Sequence, residues 1–356
     1  MPAVPHRTIA IWLMVCAAMV AVMVMLGGAT RLTESGLSMV QWKPLTVLPP
    51  LNQADWQAAF QGYQTSPEFV KKNSWMTVED FKSIFWLEYT HRLWGRAIGL
   101  AVFLPLVWFA AKRAIDRPLA VKLGVLLVLG GLQGVLGWFM VASGLVDRPD
   151  VSQYRLAAHL IVAFILYGFI VWLILDQLDA GKPAPCMDDP AFARFAFIIP
   201  PAVLLVAAAG AFVAGLDAGK IYNTFPLMDG GLLPPDGLAL QPWYLNLFEN
   251  VATVQFQHRV LAISLVTLIA ALWFFGRTRA HSPRAHAFRH GLLAMAIVQA
   301  ILGISTLLLV VPIPLALTHQ MGALVLFTLS ICFAHAVRPA ARQASASFKL
   351  STNPAE

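Results

Sequence analysis

The sequence predicts an all-α integral membrane protein: eight transmembrane helices in two pseudo-symmetric four-helix bundles, with both termini cytoplasmic. Three observations predict it. Of the 356 residues, 58% are hydrophobic and only 12% charged, whereas a soluble domain carries about 25% charged residues. Uncharged apolar stretches of about 20 residues, long enough to span a bilayer, recur along the chain. Phrases of the first half also return in the second. EYTHRL (88–93) matches QFQHRV (255–260), QGVLG (133–137) matches QAILG (299–303), and AAHLIVAFILYGF (157–169) matches LTHQMGALVLFTL (317–329).

Taken in order, the first helix is expected over 8–26. It has no small-residue cleavage site after it and reads as a retained helix rather than a signal peptide. No Arg- and Ser-rich presequence precedes it, which fits a bacterial inner membrane. The segment 27–86 is the longest connection. Its Trp42, Trp56, Trp75 and Trp86 and the Pro-rich WKPLTVLPP predict a short-helix cap on the outer surface, serving as a lid or an interfacial anchor. Further helices are expected over 89–111, 119–143 and 155–175. A cytoplasmic linker, 176–194, then leads to helices over 194–216, 253–276, 288–311 and 315–337. Gly291–Val337 carries no Asp, Glu, Lys or Arg and divides into two helices because Pro312 and Pro314 break it. The halves are accordingly 1–180 and 181–356, as expected of a parallel repeat about an axis along the membrane normal.

Lysine and arginine in the short loops set the orientation. With the N-terminus inside, the cytoplasmic segments hold Arg7, Lys112, Arg113, Arg117, Lys122, Lys182, Arg194, Arg277, Arg279, Arg284, Arg289, Arg338, Arg342 and Lys349. This topology accounts for the net charge of +7 without a nucleic-acid partner. Cys16, Cys186 and Cys332 fall in a helix, a cytoplasmic loop and another helix, so no disulfide is expected.

Of nine histidines, the repeat singles out His91, His159, His258 and His319. Each lies within the first turn or two of an expected helix beginning on the outer side. Two imidazoles per bundle, level on separate helices, suit axial ligation of one haem iron better than a zinc site, which wants tighter clustering and a third protein ligand. One turn deeper on each helix stand Gly95, Ala163, Ala262 and Ala323, small enough for a porphyrin to lie close. His6, His281, His286 and His290 belong to the chain start or the basic loop, and His335 reads as structural. A lone intramembrane histidine is often a packing residue; four in a duplicated pattern are harder to explain that way.

One difference between the two copies changes the chemistry. Glu88 precedes His91 by three residues, on the same helix face, and its counterpart is Gln255, which cannot take a proton at neutral pH. Ionisable groups in membrane segments are costly and usually functional. The asymmetry therefore points to a reactive site in one bundle and an electron-relay site in the other, with an ion pair from Glu88 to Arg92 or Arg96 as the plain alternative. Arg31, Arg92 and Arg259 are candidate partners for haem propionates, or ordinary snorkelling residues.

GGATRLTESGLSMVQWKPL, EYTHRLWGR, YNTFPLMDG (222–230), QFQHR and THQMGA together resemble the haem A synthase family over essentially the whole membrane region. The resemblance implies oxidation of a ring methyl of haem O to a formyl group, making haem A for cytochrome oxidase. It implies substrate haem between His91 and His159, a haem b cofactor between His258 and His319, and Glu88 as the family's important glutamate. Outer-loop cysteine pairs, present in some members, are absent here, as in the proteobacterial and mitochondrial type. Implied partners are haem O, haem O synthase, cytochrome oxidase assembly factors, an unspecified electron acceptor and membrane lipid; the sequence leaves open whether the chain forms a homo-oligomer. The residues alone leave open a two-haem b-type electron-transfer cytochrome. A membrane transporter is the third class, although no pair of helices is broken at mid-membrane.

Overall fold

The computed structural model describes residues 5–41, 48–144, 151–182, 189–234, 236–279 and 282–338. Trp42, Cys186, His281, Arg342 and Lys349 lie outside these residues. The described chain is all-α. Its long helices are α1 (His6–Leu32), α3 (Val78–Ala111), α4 (Arg117–Gly144), α5 (Gln153–Asp179), α6 (Pro190–Gly215), α8 (Val251–Gly276), α9 (Pro283–Leu308) and α10 (Ile313–Ala336). Eight helices are thus long and apolar enough to cross a membrane. Two short ones are added, α2 (Gln53–Gln64) and α7 (Asn246–Glu249), with a π-turn at Phe69–Asn73.

Most helix bounds fall within a few residues of expectation, and the second long helix departs most. It begins at Val78 instead of 89, because Thr77 and Asp80 form a capping box: Thr77 N–H donates to Asp80 Oδ2 (2.9 Å), and Asp80 N–H to Thr77 Oγ1 (3.4 Å). Its first turns, VEDFKS, are polar and carry no hydropathy signal. His91 consequently lies well inside α3 rather than in its first turn or two. The remaining boundaries follow ordinary end chemistry. Asn250 caps α8 and Ser282 caps α9, and Pro314 opens α10 where its missing N–H costs nothing. Pro105 and the pair Pro200–Pro201 lie inside continuous helices.

Helices α5 and α10 form the centre. Helix α5 packs on α1, α4, α6 and α10, while α10 packs on α9, α6, α5 and α1. Gly168 makes the approach possible, since a Cβ there would stand 2.8 Å from both Phe327 and Ile331. Phe164 and Phe327 meet at 5.5 Å between centroids, and Tyr167 Oη lies 3.0 Å from Thr328 Oγ1. Helix α1 joins the second half by Gln320 Nε2 donating to Val24 O (2.7 Å), over Gly28. Large apolar side chains elsewhere face outward, among them Leu104, Trp108, Val128 and Val135, as lipid-facing helices require.

At one end of the bundle, Asp176 and Asp179 of α5 collect cations from three other segments. Lys122 reaches Asp176 at 3.2 Å, Arg338 reaches it at 3.3 Å, and Arg284 grips Asp179 at 2.8 and 3.0 Å. His335 is fully buried within this network, 3.2 Å from Asp176. At the other end, α2 and the π-turn form a separate apolar cluster on α3, built from Met39, Phe60, Tyr63, Phe81, Ile84 and Phe85. Trp56 joins this cap, 5.1 Å from Phe85, whereas Trp75 and Trp86 remain exposed.

Candidate functional site

Glu88 is 2% exposed, and hydrogen bonding explains how a carboxylate tolerates that. Its Oε2 accepts from Ser38 Oγ (2.6 Å) and from Met39 N–H (2.7 Å), and Oε1 pairs with Arg92 one turn on. Arg92 also donates to the Met39 carbonyl (3.0 Å) and the Gln41 carbonyl (3.3 Å). Glu88 and Arg92 therefore tie the segment after α1, and the cap containing Met39, to α3.

The second half repeats the frame with inverted polarity. Gln255, also 2% exposed, accepts from Arg259 through Oε1 (3.0 Å) and donates through Nε2 to the carbonyls of Ala218 (2.8 Å) and Ile221 (2.6 Å). Arg259 donates to the carbonyls of Tyr222 (2.6 Å) and Thr224 (2.8 Å). The local backbone thus selects the side chain: a loop presenting N–H and O–H receives a carboxylate, and one presenting C=O receives an amide. Arg31 instead crosses between halves, donating to Ala214 O (2.7 Å) and approaching Asp217 (3.4 Å). The guanidinium groups of all three candidate arginines are thus engaged with protein oxygens.

The fold brings the histidines together in pairs. His91 on α3 lies within electrostatic range of His159 on α5, and His258 on α8 within range of His319 on α10. Each ring rests against a glycine of another helix: His91 on Gly27, His159 on Gly137, His258 on Gly210 and His319 on Gly303. Two glutamines hold the backbone beside them, Gln133 Nε2 donating to His159 O (3.0 Å) and Gln299 Nε2 to His319 O (2.8 Å). Nδ1 of His159, His258 and His319 is buried without a hydrogen-bond partner. Buried imidazole nitrogens left without a partner, on histidines that stand in pairs, are what a site for an added ligand looks like, so these residues fit a haem. Among the described residues no three His, Cys, Asp or Glu side chains converge as a metal cage, and the histidines stand as pairs.

The glycine contacts, the glutamine props and the polarity of the two loops had not been expected from sequence. A signal for two of them existed, because Gln133 with Gly137 and Gln299 with Gly303 open and close the repeated QGVLG and QAILG. Of the four small residues one turn beyond the histidines, Gly95 faces Met23, and Ala163 and Ala323 pack on the central core. The cap also buries a second carboxyl. Glu68 accepts from Tyr63 Oη (3.1 Å), which in turn accepts from Asn73 Nδ2 (2.8 Å). Burial, reinforced by the charges of Glu88 and Glu34, pushes Glu68 up to about 8.

Residues 10–331 match the COX15-CtaA family model, described as cytochrome oxidase assembly protein. The chain belongs to the haem A synthase family. It is 49% identical over 335 residues to the Heme A synthase of Nitrosospira multiformis, covering 94% of each chain. The Heme A synthase of Nitrosomonas eutropha is 45% identical over 330 residues, 92% of each chain. That of Paramagnetospirillum magneticum is 47% identical over 335 residues, 93% of this chain and 94% of its own. As a haem A synthase family member of the proteobacterial type, this multi-pass membrane protein is an oxidoreductase-type enzyme connected with cytochrome oxidase assembly.

Proposed function

We propose that this protein oxidises the ring methyl of haem O to the formyl group of haem A, in the N-terminal half (1–180), using haem b held in the C-terminal half (181–356). Haem O is the substrate between His91 and His159, and His258 with His319 ligates the cofactor. The observation that carries this reading is the inversion of polarity between the two related frames, Glu88 against Gln255. The two halves are pseudo-symmetric, the chain lies in the bacterial inner membrane, and both termini are cytoplasmic. Haem O synthase supplies the substrate, and assembly factors of cytochrome oxidase take the product from the lipid bilayer.

The oxidation proceeds from methyl to alcohol and then to the hydrated aldehyde, which loses water. Each two-electron step replaces a C–H by C–OH with oxygen from water, releasing two protons. Haem b, which His258 and His319 would hold, would supply one-electron transfer toward a membrane acceptor. In this reading the fixed negative charge of Glu88 stabilises positive charge developing on the methyl carbon, or Glu88 takes a proton from the attacking water. Its pairing with Arg92, Ser38 and Met39 holds the carboxylate in place before reaction, so no reorganisation is spent during it. Arg31, Arg92 and Arg259, already oriented by protein oxygens, provide positive charge for the propionates. The cap over α3 shields the site from bulk solvent.

Pigment extraction from the purified protein, made in cells that supply haem O, tests the reading. Haem O, its alcohol or haem A beside haem b is expected. His258→Ala and His319→Ala should lose haem b. Haem b alone, two per chain with haem O available, would instead favour an electron-transfer cytochrome.

A further inference from the structure

The four glycines against the histidines are alike in position and unequal in depth. A Cβ added at Gly303 would stand 2.8 Å from His319 Cε1, and one at Gly210 would stand 3.1 Å from His258 Cε1. In the first half, a Cβ at Gly137 would stand 3.5 Å from His159 Cε1, and one at Gly27 3.4 Å from His91 Nε2. Carbon atoms at rest lie about 3.5–4.0 Å apart. The His319 imidazole thus occupies space that only glycine leaves, the His258 imidazole sits tighter than an ordinary contact, and the first-half imidazoles sit at ordinary contact distance.

Depth matters because a ring edge sunk into a notch cannot turn about its Cβ–Cγ bond without withdrawing. Such a ring presents its nitrogen along one fixed direction, and a ligand held this way is preorganised for a permanent partner. A ring at ordinary contact keeps rotational play. A site that must release a product needs that play; a site that keeps its cofactor does not. No charge difference enters the comparison, so it is independent of Glu88 and Gln255.

We propose that Gly210 and Gly303 lock His258 and His319 as ligands of a resident haem, whereas the shallower seats at Gly27 and Gly137 let His91 and His159 turn as a haem enters and leaves. The inference rests on the assignment of haem b to the second half and substrate haem to the first. It makes the glycines positioning residues, acting through the imidazoles.

Gly→Ala substitutions in the full chain test it, with Gly134→Ala as a control, because a Cβ there meets nothing within 4 Å. Alanine favours helix over glycine, so any loss arises from the collision with the ring. Haem b per chain and its low-spin electron paramagnetic resonance signal are the readouts. Gly303→Ala should lose at least half its haem b or shift the signal, and Gly210→Ala should shift it less. Gly210→Ala carries the test if Gly303→Ala does not accumulate. Gly27→Ala, Gly137→Ala and Gly134→Ala should keep the wild-type haem b signal. The first two should also retain at least twice as much haem O or haem A through detergent washing. Wild-type haem b content and signal in both Gly303→Ala and Gly210→Ala would overturn the proposal, as would equal haem b loss in Gly27→Ala and Gly137→Ala. His258→Ala and His319→Ala separate the two levels. Full haem b in both sinks the site assignment and the seats with it, whereas its loss there, beside unchanged glycine variants, sinks the seats alone.

Discussion

Glu88→Gln is the exchange that makes the first half spell like the second, and the surrounding backbone argues that it will not be tolerated in the same way. The carboxylate takes three sets of donors: Ser38 Oγ at 2.6 Å, Met39 N–H at 2.7 Å and the Arg92 guanidinium. An amide accepts through one oxygen only. If that oxygen serves Met39, the amide N–H₂ faces Arg92; if it serves Arg92, the N–H₂ faces the Met39 N–H. Either way a buried donor meets a donor. Removing one partner of a buried charge pair costs about 3–5 kcal/mol. Arg92 retains the Met39 and Gln41 carbonyls, so the lower figure is the appropriate one. A local loss of about 3 kcal/mol corresponds to about a hundredfold change in an opening equilibrium. Amide hydrogen exchange, read by mass spectrometry at constant pH, should therefore show residues 35–41 opening about a hundredfold more readily in Glu88→Gln. The central helices should be little changed, haem binding largely retained and haem A formation steeply reduced. Gln255→Glu should open 218–222 in the same assay, since it sets a carboxylate against the carbonyls of Ala218 and Ile221. Unchanged exchange at 35–41 in Glu88→Gln would refute the reasoning, and full haem A formation would remove Glu88 from the chemistry.

Two further predictions concern the cap and the helix interface. In the folded cap Glu68 keeps its proton up to about pH 8, while the unfolded chain releases it near the ordinary value of about 4.3. The folded state binds the extra proton in that window, so cap stability falls as pH rises through it. Glu68→Gln should flatten this slope in thermal denaturation from pH 6 to 8.5, and parallel slopes would contradict the assignment. At the centre, Thr328 Oγ1 donates to Leu324 O (2.8 Å), leaving Tyr167 as donor to Thr328. Tyr167→Phe thus removes one donor and leaves Thr328 satisfied, at a cost below about 1 kcal/mol, whereas Thr328→Val strands a part-buried hydroxyl and costs about 1–3 kcal/mol. Unfolding in detergent should rank Thr328→Val as the less stable, and the reverse order would be a refutation.

The sequence by itself determined the eight spans, the pairing of EYTHRL with QFQHRV and the choice of four histidines among nine. These are local properties: hydropathy over about 20 residues reports the solvent a segment needs, and a repeated phrase is visible without any fold. Local reading failed first at the head of α3. Its polar opening turns are held by a capping box and by aromatic packing with α2, neither of which raises hydropathy.

Only the tertiary structure decided which groups face each candidate site residue. Whether position 88 or 255 wants a carboxylate or an amide depends on whether N–H or C=O groups face it, and those groups lie tens of residues away in sequence. Which glycine among 24 receives an imidazole, and how deeply, depends on how closely two helices approach. That approach is fixed by side chains elsewhere, such as Gly168 beneath Phe327 and Ile331. Contact distances of a few tenths of an ångström arise from packing the whole bundle at near-crystalline density, and no window of sequence contains them.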